Sequence, residues 1–130
     1  MNDRDFVDAF ESCTLPPAQF HHREHIRLAW LYLREAPLLA ALPRFVASLR
    51  RYATHLGQPQ LYHETITWMY LLLIHERMQR GDSETFDAFC DANGDLLTWQ
   101  PSILDRYYDA ATLQSDLARR VFVLPAPASM

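Results

Sequence analysis

A chain of 130 residues can bury one hydrophobic core without disulfides or a structural metal, and nothing in it requires a second domain. Hydrophobic residues make up 49% and charged residues 22% of the chain, with only three glycines, which excludes a disordered protein and favours a compact helical one. The formal charge is -4, and the basic residues are scattered rather than gathered in the patch of a nucleic-acid surface. We therefore expect no nucleic-acid partner.

The composition also bears on the cell compartment. The N-terminal segment is acidic and amphipathic and lacks the basic segment and apolar run of a signal peptide. The longest apolar stretch, residues 66–74, covers nine positions, whereas a membrane span needs roughly twenty. Cys13 and Cys90 are too isolated to indicate a disulfide framework or a cysteine metal site. We expect a cytoplasmic protein without a membrane partner.

The first part of the chain predicts two helices. Residues 3–12 carry apolar side chains at helical spacing, and Pro16 and Pro17 end this helix. Residues 21–35 form the second helix, which has one apolar side and one side rich in arginine.

Two longer helices follow. Residues 38–56 have helical spacing with Gly57 as a stop signal, and Pro43 inside them should either kink or restart the helix. Residues 61–80 are apolar nearly all round in their middle part and are closed by Gly81. This last helix is therefore predicted to be the central one.

The remainder of the chain predicts shorter helices. Asp82 or Ser83 caps a helix that ends near Ala92, and two short helices follow it. Residues 125–130 are rich in proline and alanine and are expected to form a loosely ordered tail. The predicted fold is an all-α, single-domain bundle of four main helices plus short additional helices over residues 1–124.

Histidines are concentrated at the start of the second helix, in residues 20–25, FHHREH. His22 and His25 are three residues apart and share the helix face that also carries Ile26 and Ala29. Both imidazoles are therefore expected to point inward. Burying them without partners costs about 1–3 kcal/mol for each unsatisfied group, and a shared cation or a carboxylate partner would remove that cost.

A third histidine, His63, lies at the start of the central helix in residues 61–68, LYHETITW. If the second and fourth helices lie antiparallel or cross near their N-terminal ends, His63 joins His22 and His25 in a set of three imidazoles. Three nitrogen ligands with one open position are typical of a catalytic metal site. Imidazoles suit zinc, iron, copper or nickel, so the predicted cofactor is a divalent transition metal of undetermined identity.

The same stretch supplies candidate catalytic groups. Glu64 can act as a further metal ligand, as a general base or as a partner that orients an imidazole. Thr67 can bond to a metal-bound water, and Tyr62 can donate a hydrogen bond to a bound cofactor. The His-x-x-His spacing is weak by itself, and the His-Glu-x-x-His order of zinc proteases is missing.

The stretches FHHREHIRLAWLYL and YHETITWMYLLL together resemble a family of small, uncharacterised bacterial helical proteins. The signatures of that family are Phe-x-His-x-x-His and Tyr-His-x-Thr-x-Thr, and in this chain they fall on Phe20, His22, His25, Tyr62, His63, Thr65 and Thr67. The stretch LDRYYDAATLQSDLARRVFVLP is similar to the ending of the family, although Ala126 stands where the family has an acidic residue. The resemblance implies the same site residues but no established activity.

Three hypotheses about function follow. The first is a metal site of the three histidines, with hydrolysis or redox chemistry as the reaction. The second is a metal-free module in which the histidines, Tyr62 and Thr67 line a polar pocket for a small organic acid or for side chains of a protein partner. The third treats the histidines as capping and packing residues, with Trp99 and the Tyr107-Tyr108 pair as contact residues. Pairing into a homodimer is expected only as a general tendency of helical bundles.

Overall fold

The computed structural model describes residues 1–127, and within them it contains no β-strand. The eight α-helices of this range are α1 Asp3–Glu11, α2 His22–Glu35, α3 Leu38–His55, α4 Glu64–Arg80, α5 Phe86–Ala92, α6 Gly94–Leu97, α7 Ala110–Gln114 and α8 Asp116–Arg120. Short 3-10 turns lie at Pro17–Gln19, Pro59–Leu61 and Ile103–Arg106. The predicted all-α, single-domain fold is confirmed.

Capping side chains fix where the helices begin. The Asn2 side chain accepts the backbone N–H of Asp5 at 2.8 Å, and the backbone N–H of His21 donates to Glu24 Oε1 at 2.9 Å. Because His21 is the capping residue, α2 starts one position later than predicted. The helix α4 starts at its fourth predicted residue, because Pro59–Leu61 forms a separate turn before it.

The helix α3 continues through Pro43 without restarting. The Pro43 ring is exposed, whereas Ala41 and Phe45 on either side of it are buried. These two anchors hold the helix in place although the proline has no N–H to donate. The predicted stop at Gly57 is confirmed, and this glycine has a φ of 73°, which other residues rarely adopt.

The start of α5 differs from the prediction. Its N-cap is Thr85, whose hydroxyl accepts the backbone N–H three residues later at 3.1 Å. Asp82 and Ser83 lie in the non-helical connection before it. The ring of Phe86 lies 5.6 Å from that of Trp30, centroid to centroid, so packing against α2 places the first turn of α5 here rather than nearer to Gly81.

The predicted central position of α4 is confirmed. This helix packs against α2, α3 and α8, and its residues Leu71 and Ile74 are completely buried. Arg77, near its end, donates two hydrogen bonds to the carboxylate of Asp95 at 2.9 and 2.8 Å. The ion pair ties α4 to α6.

The chain beyond Arg120 contains no helix up to residue 127. Residues 125–127 of the predicted tail therefore lie outside the helices, and residues 128–130 of that prediction lie outside the described residues. None of the helices in the described part of the chain is both long and apolar enough to span a membrane.

Candidate functional site

The two histidine-bearing segments lie toward the same end of the bundle, because α2 and α4 run in roughly the same direction. The ring centroid of His22, the first residue of α2, is 5.1 Å from that of Tyr70 in α4. Further along, Arg34 of α2 and Arg80 of α4 border one groove. The N-terminal turns of both helices are thus within the same region of the molecule.

His22 is partly buried and uses one of its ring nitrogens. Its Nε2 lies 2.8 Å from the carbonyl oxygen of Leu96. Because a carbonyl only accepts, Nε2 carries the proton and Nδ1 keeps its lone pair. The rings of Tyr70 and Trp99 flank the imidazole, each with a centroid distance of 5.1 Å. Burial lowers the pKa of His22, although the bond to Leu96 opposes this effect.

His25 has a similar arrangement on the next turn. Its Nδ1 donates to the carbonyl oxygen of His21 at 3.2 Å, and its ring centroid lies 4.1 Å from that of Phe20. Burial lowers the pKa of His25 to about 4, with a further contribution from His22 and opposition from the bond to His21. Among residues 1–127, the one enclosed side-chain N or O atom without a partner is Trp68 Nε1. The free nitrogens of both imidazoles are therefore not completely enclosed.

His63, in contrast, is buried and uses both ring nitrogens. Its Nδ1 accepts the backbone N–H of Ile66 at 3.1 Å, which makes it the N-cap of α4. Its Nε2 donates to the carbonyl oxygen of Leu113 at 2.7 Å. A metal could bind this ring only after one of these two bonds breaks.

The three predicted metal ligands are thus not equivalent in the structure. In the part of the chain that the structure describes, no group of three or more His, Cys, Asp or Glu side chains could hold a metal ion. His22 and His25 retain free lone pairs but face different neighbours, Leu96 and Phe20 respectively. The geometry offers two candidate imidazoles, and metal binding by them stays a prediction.

The predicted catalytic and cofactor-binding residues form a second cluster with Arg50 of α3. The Tyr62 hydroxyl donates to Glu64 Oε1, and the Arg50 guanidinium lies 3.6 Å from the same oxygen and 4.8 Å from the centroid of the Tyr62 ring. Burial and the neighbouring Glu64 raise the pKa of Tyr62, while the Thr67 hydroxyl opposes the rise. Tyr62 therefore stays protonated and acts as a hydrogen-bond donor.

Thr67 lies on α4 between the cluster of Tyr62, Glu64 and Arg50 and the side of the helix that meets α2. On α4, Thr67 lies between Tyr70, which meets α2, and Glu64, which meets α3, so helical phase directs it toward the junction of the three helices. Glu64 already accepts from Tyr62 and lies beside Arg50. It would have to give up these partners to act as a general base, and its catalytic role stays a prediction.

The sequence reasoning missed the groups that surround His22. The Tyr70 hydroxyl and Ser102 Oγ are 2.8 Å apart, and Trp99 is 49% exposed beside the imidazole. Trp99 and Ser102 come from a loop more than seventy positions after His22, and no local spacing relates them to it. The sequence pointed only to Trp99 itself, two residues before Pro101, and it was interpreted there as a contact residue without a link to His22.

Comparisons with protein-family models, with curated proteins and with solved structures find no match to this chain. Membership in the uncharacterised bacterial family therefore stays a prediction that rests on the two histidine signatures.

Proposed function

We propose that this is a cytoplasmic protein that binds a divalent transition metal through the free ring nitrogens of His22 and His25. The observation that carries the proposal is that each ring donates one N–H to a backbone carbonyl and keeps the lone pair of its other nitrogen. Metal-ligating histidines commonly make such a second hydrogen bond, which fixes the tautomer and the orientation of the ring. Zinc, iron, copper and nickel are all suitable ions.

Protonation of the two rings supports this proposal. A histidine must be neutral to bind a metal, and burial lowers the pKa of His25 to about 4 and lowers that of His22 as well. Protons therefore compete with the metal for these nitrogens only in acidic solution.

The remaining positions around the metal would be filled by water or by a bound substrate. Tyr62, Glu64 and Thr67 stand at the start of α4, where Tyr62 donates to Glu64 and Thr67 is buried. In this proposal Tyr62 contacts the molecule that is bound to the metal. Glu64 accepts a hydrogen bond from that molecule, and the Thr67 hydroxyl donates to it or accepts from it. We assign no reaction to these groups.

A different observation favours a second candidate, a metal-free site for a small organic molecule. The His22 imidazole lies against the rings of Tyr70 and Trp99, and Trp99 is 49% exposed. An aromatic surface next to a free lone pair suits a flat molecule that carries an N–H or O–H group.

The test is the metal content of protein purified without a histidine tag. The wild type is compared with the His22→Ala and His25→Ala variants, and His55→Ala serves as the matched control because His55 is exposed at the end of α3. We expect bound metal in the wild type and in His55→Ala, and its loss in the other two variants.

Absence of metal from the wild type after loading with zinc, iron, copper and nickel would contradict the first candidate. The second candidate is then tested with phenol as a probe, by the fluorescence of Trp99 in a background where Trp30 and Trp68 are phenylalanine. Saturable quenching that is lost in His22→Ala would support the metal-free site, and unsaturable quenching would contradict it.

A further inference from the structure

The segment that begins in the last turn of α7 is fastened along the first two turns of α4. We refer to residues 113–123 as the C-terminal strap. His63 Nε2 donates to the carbonyl oxygen of Leu113 at one end of the strap, at 2.7 Å. Arg119 donates to the carbonyl oxygen of Gln60, before the start of α4, at 2.9 Å. The strap thus contacts both α4 and the turn that precedes it.

The Thr65 hydroxyl is the centre of this attachment. It is completely buried and lies 2.7 Å from the carbonyl oxygen of Ala118 and 2.9 Å from that of Val121. It also accepts the backbone N–H of Val123 at 3.1 Å. A hydroxyl has a single hydrogen to donate, so the two carbonyls share it. Three strap residues therefore depend on one side-chain oxygen.

A second contact of the strap encloses a polar atom that has no partner in the described part of the chain. The ring of Phe122 stacks on Trp68 of α4 with a centroid distance of 5.0 Å and an interplanar angle of 15°. The indole Nε1 of Trp68 is enclosed and has no hydrogen-bond acceptor among residues 1–127. An enclosed donor without an acceptor loses its hydration without compensation. Because Phe122 of the strap covers the indole ring, we expect opening of the strap to give this N–H access to water.

We propose that the C-terminal strap is a latch that opens as a unit while the rest of the bundle stays folded. The Thr65 hydroxyl holds it closed, and the Trp68 N–H, which has no acceptor within residues 1–127, favours its opening. Opening also breaks the bond from His63, the N-cap of α4, to Leu113, so the residue before Glu64 is held by its cap bond alone. The latch does not involve His22 or His25, so it does not depend on the proposed metal site.

Trypsin measures this opening in the intact chain. The strap contains Arg119 and Arg120, whose peptide bonds lie in or next to α8 and are cleaved only when the helix opens. When closing is fast, the cleavage rate follows the population of the open form. Thr65→Val removes the hydroxyl but keeps the shape, and we expect it to raise the cleavage rate there about tenfold, the effect of one hydrogen bond.

Site-specific replacement of Trp68 by benzothienylalanine keeps the bicyclic ring and removes the N–H. We expect this change to slow cleavage at Arg119 and Arg120 by about tenfold, because the closed state no longer contains an unsatisfied donor. The matched controls are Thr54→Val on the exposed surface of α3 and benzothienylalanine at the half-exposed Trp99. Both controls should leave the rate unchanged.

Hydrogen exchange distinguishes local opening from global unfolding. In the wild type we expect the Val123 amide, which donates to Thr65, to exchange faster than the amide of the buried Leu71 in α4. Thr65→Val should also accelerate the amide of Val121, which donates to the carbonyl oxygen of Leu117 inside the strap, and should leave the Leu71 amide unchanged. Equal acceleration of the Val121 and Leu71 amides, or an unchanged or faster cleavage rate with benzothienylalanine at position 68, would overturn the proposal.

Discussion

His63 satisfies both of its ring nitrogens within the protein, and this makes it the most informative single residue of the site. It accepts from Ile66 at 3.1 Å and donates to Leu113 at 2.7 Å. His63→Ala removes the N-cap of α4 and leaves the Leu113 carbonyl without its donor. We expect the free energy of unfolding in urea to fall by about 2 kcal/mol, the combined effect of a lost cap and a lost hydrogen bond.

Two controls accompany this variant. His55→Ala, at an exposed position, should change the free energy of unfolding by less than about 0.5 kcal/mol. Metal content per folded molecule should be the same in His63→Ala as in the wild type, because the proposed ligands are His22 and His25. Loss of metal without loss of stability would instead identify His63 as a ligand.

At the scale of the helix, α5 begins after Thr85 rather than after the predicted cap, Asp82 or Ser83, and substitution of the cap residue tests this assignment. The Thr85 hydroxyl accepts the backbone N–H of Ala88 at 3.1 Å, and Ser83 lies in the preceding connection. Thr85→Ala should lower the free energy of unfolding by about 1 kcal/mol, as is typical of a lost N-cap. Ser83→Ala should change it by less than about 0.5 kcal/mol. A larger loss of the free energy of unfolding in Ser83→Ala than in Thr85→Ala, measured in urea, would place the cap at Ser83.

The same helix shows which features could be predicted from the sequence. The four longest helices were identified because apolar spacing and stop signals such as Gly57 are local. The start of α5 was not, because Ser83 and Thr85 are both good caps and the choice depends on Phe86 packing against Trp30, 5.6 Å away. Tertiary contacts decide between such alternatives.

For the site, too, local helical spacing could be predicted from the sequence, whereas contacts with distant parts of the chain could not. Helical spacing predicted one inward face for His22 and His25, and both residues are partly buried but have different neighbours, Leu96 and Phe20. The hydrogen bonds that distinguish His22 from His63 involve Leu96 and Leu113, carbonyl groups 74 and 50 residues away. Sequence spacing carries no information about such backbone partners, so the ring nitrogen left free in each histidine became apparent only in the folded structure.

At the scale of the whole molecule, the burial of two imidazoles of α2 links the stability of the bundle to pH. Burial lowers the pKa of His25 from 6.5 to about 4 and lowers that of His22 in the same direction. Between these pH values the unfolded chain binds more protons than the folded one, so stability is full above about pH 6.5 and decreases as the pH falls toward 4. The carboxylate of Asp95, whose pKa is lowered by Arg77, contributes in more acidic solution.

Urea unfolding at pH 7 and pH 5 therefore measures the contribution of the histidines separately from that of Asp95. Proton uptake by His25 in the unfolded chain should lower the free energy of unfolding by about 2 kcal/mol between pH 7 and pH 5. The reason is that its pKa is about 2.5 units lower in the folded chain than in the unfolded one. In His25→Asn, which cannot take up a proton, the difference between the two pH values should shrink by about that amount, while His55→Ala should retain it. An equal pH dependence in wild type and His25→Asn would show that His25 titrates alike in the folded and unfolded chain, and that its imidazole is not held neutral by the packing of α2 into the bundle.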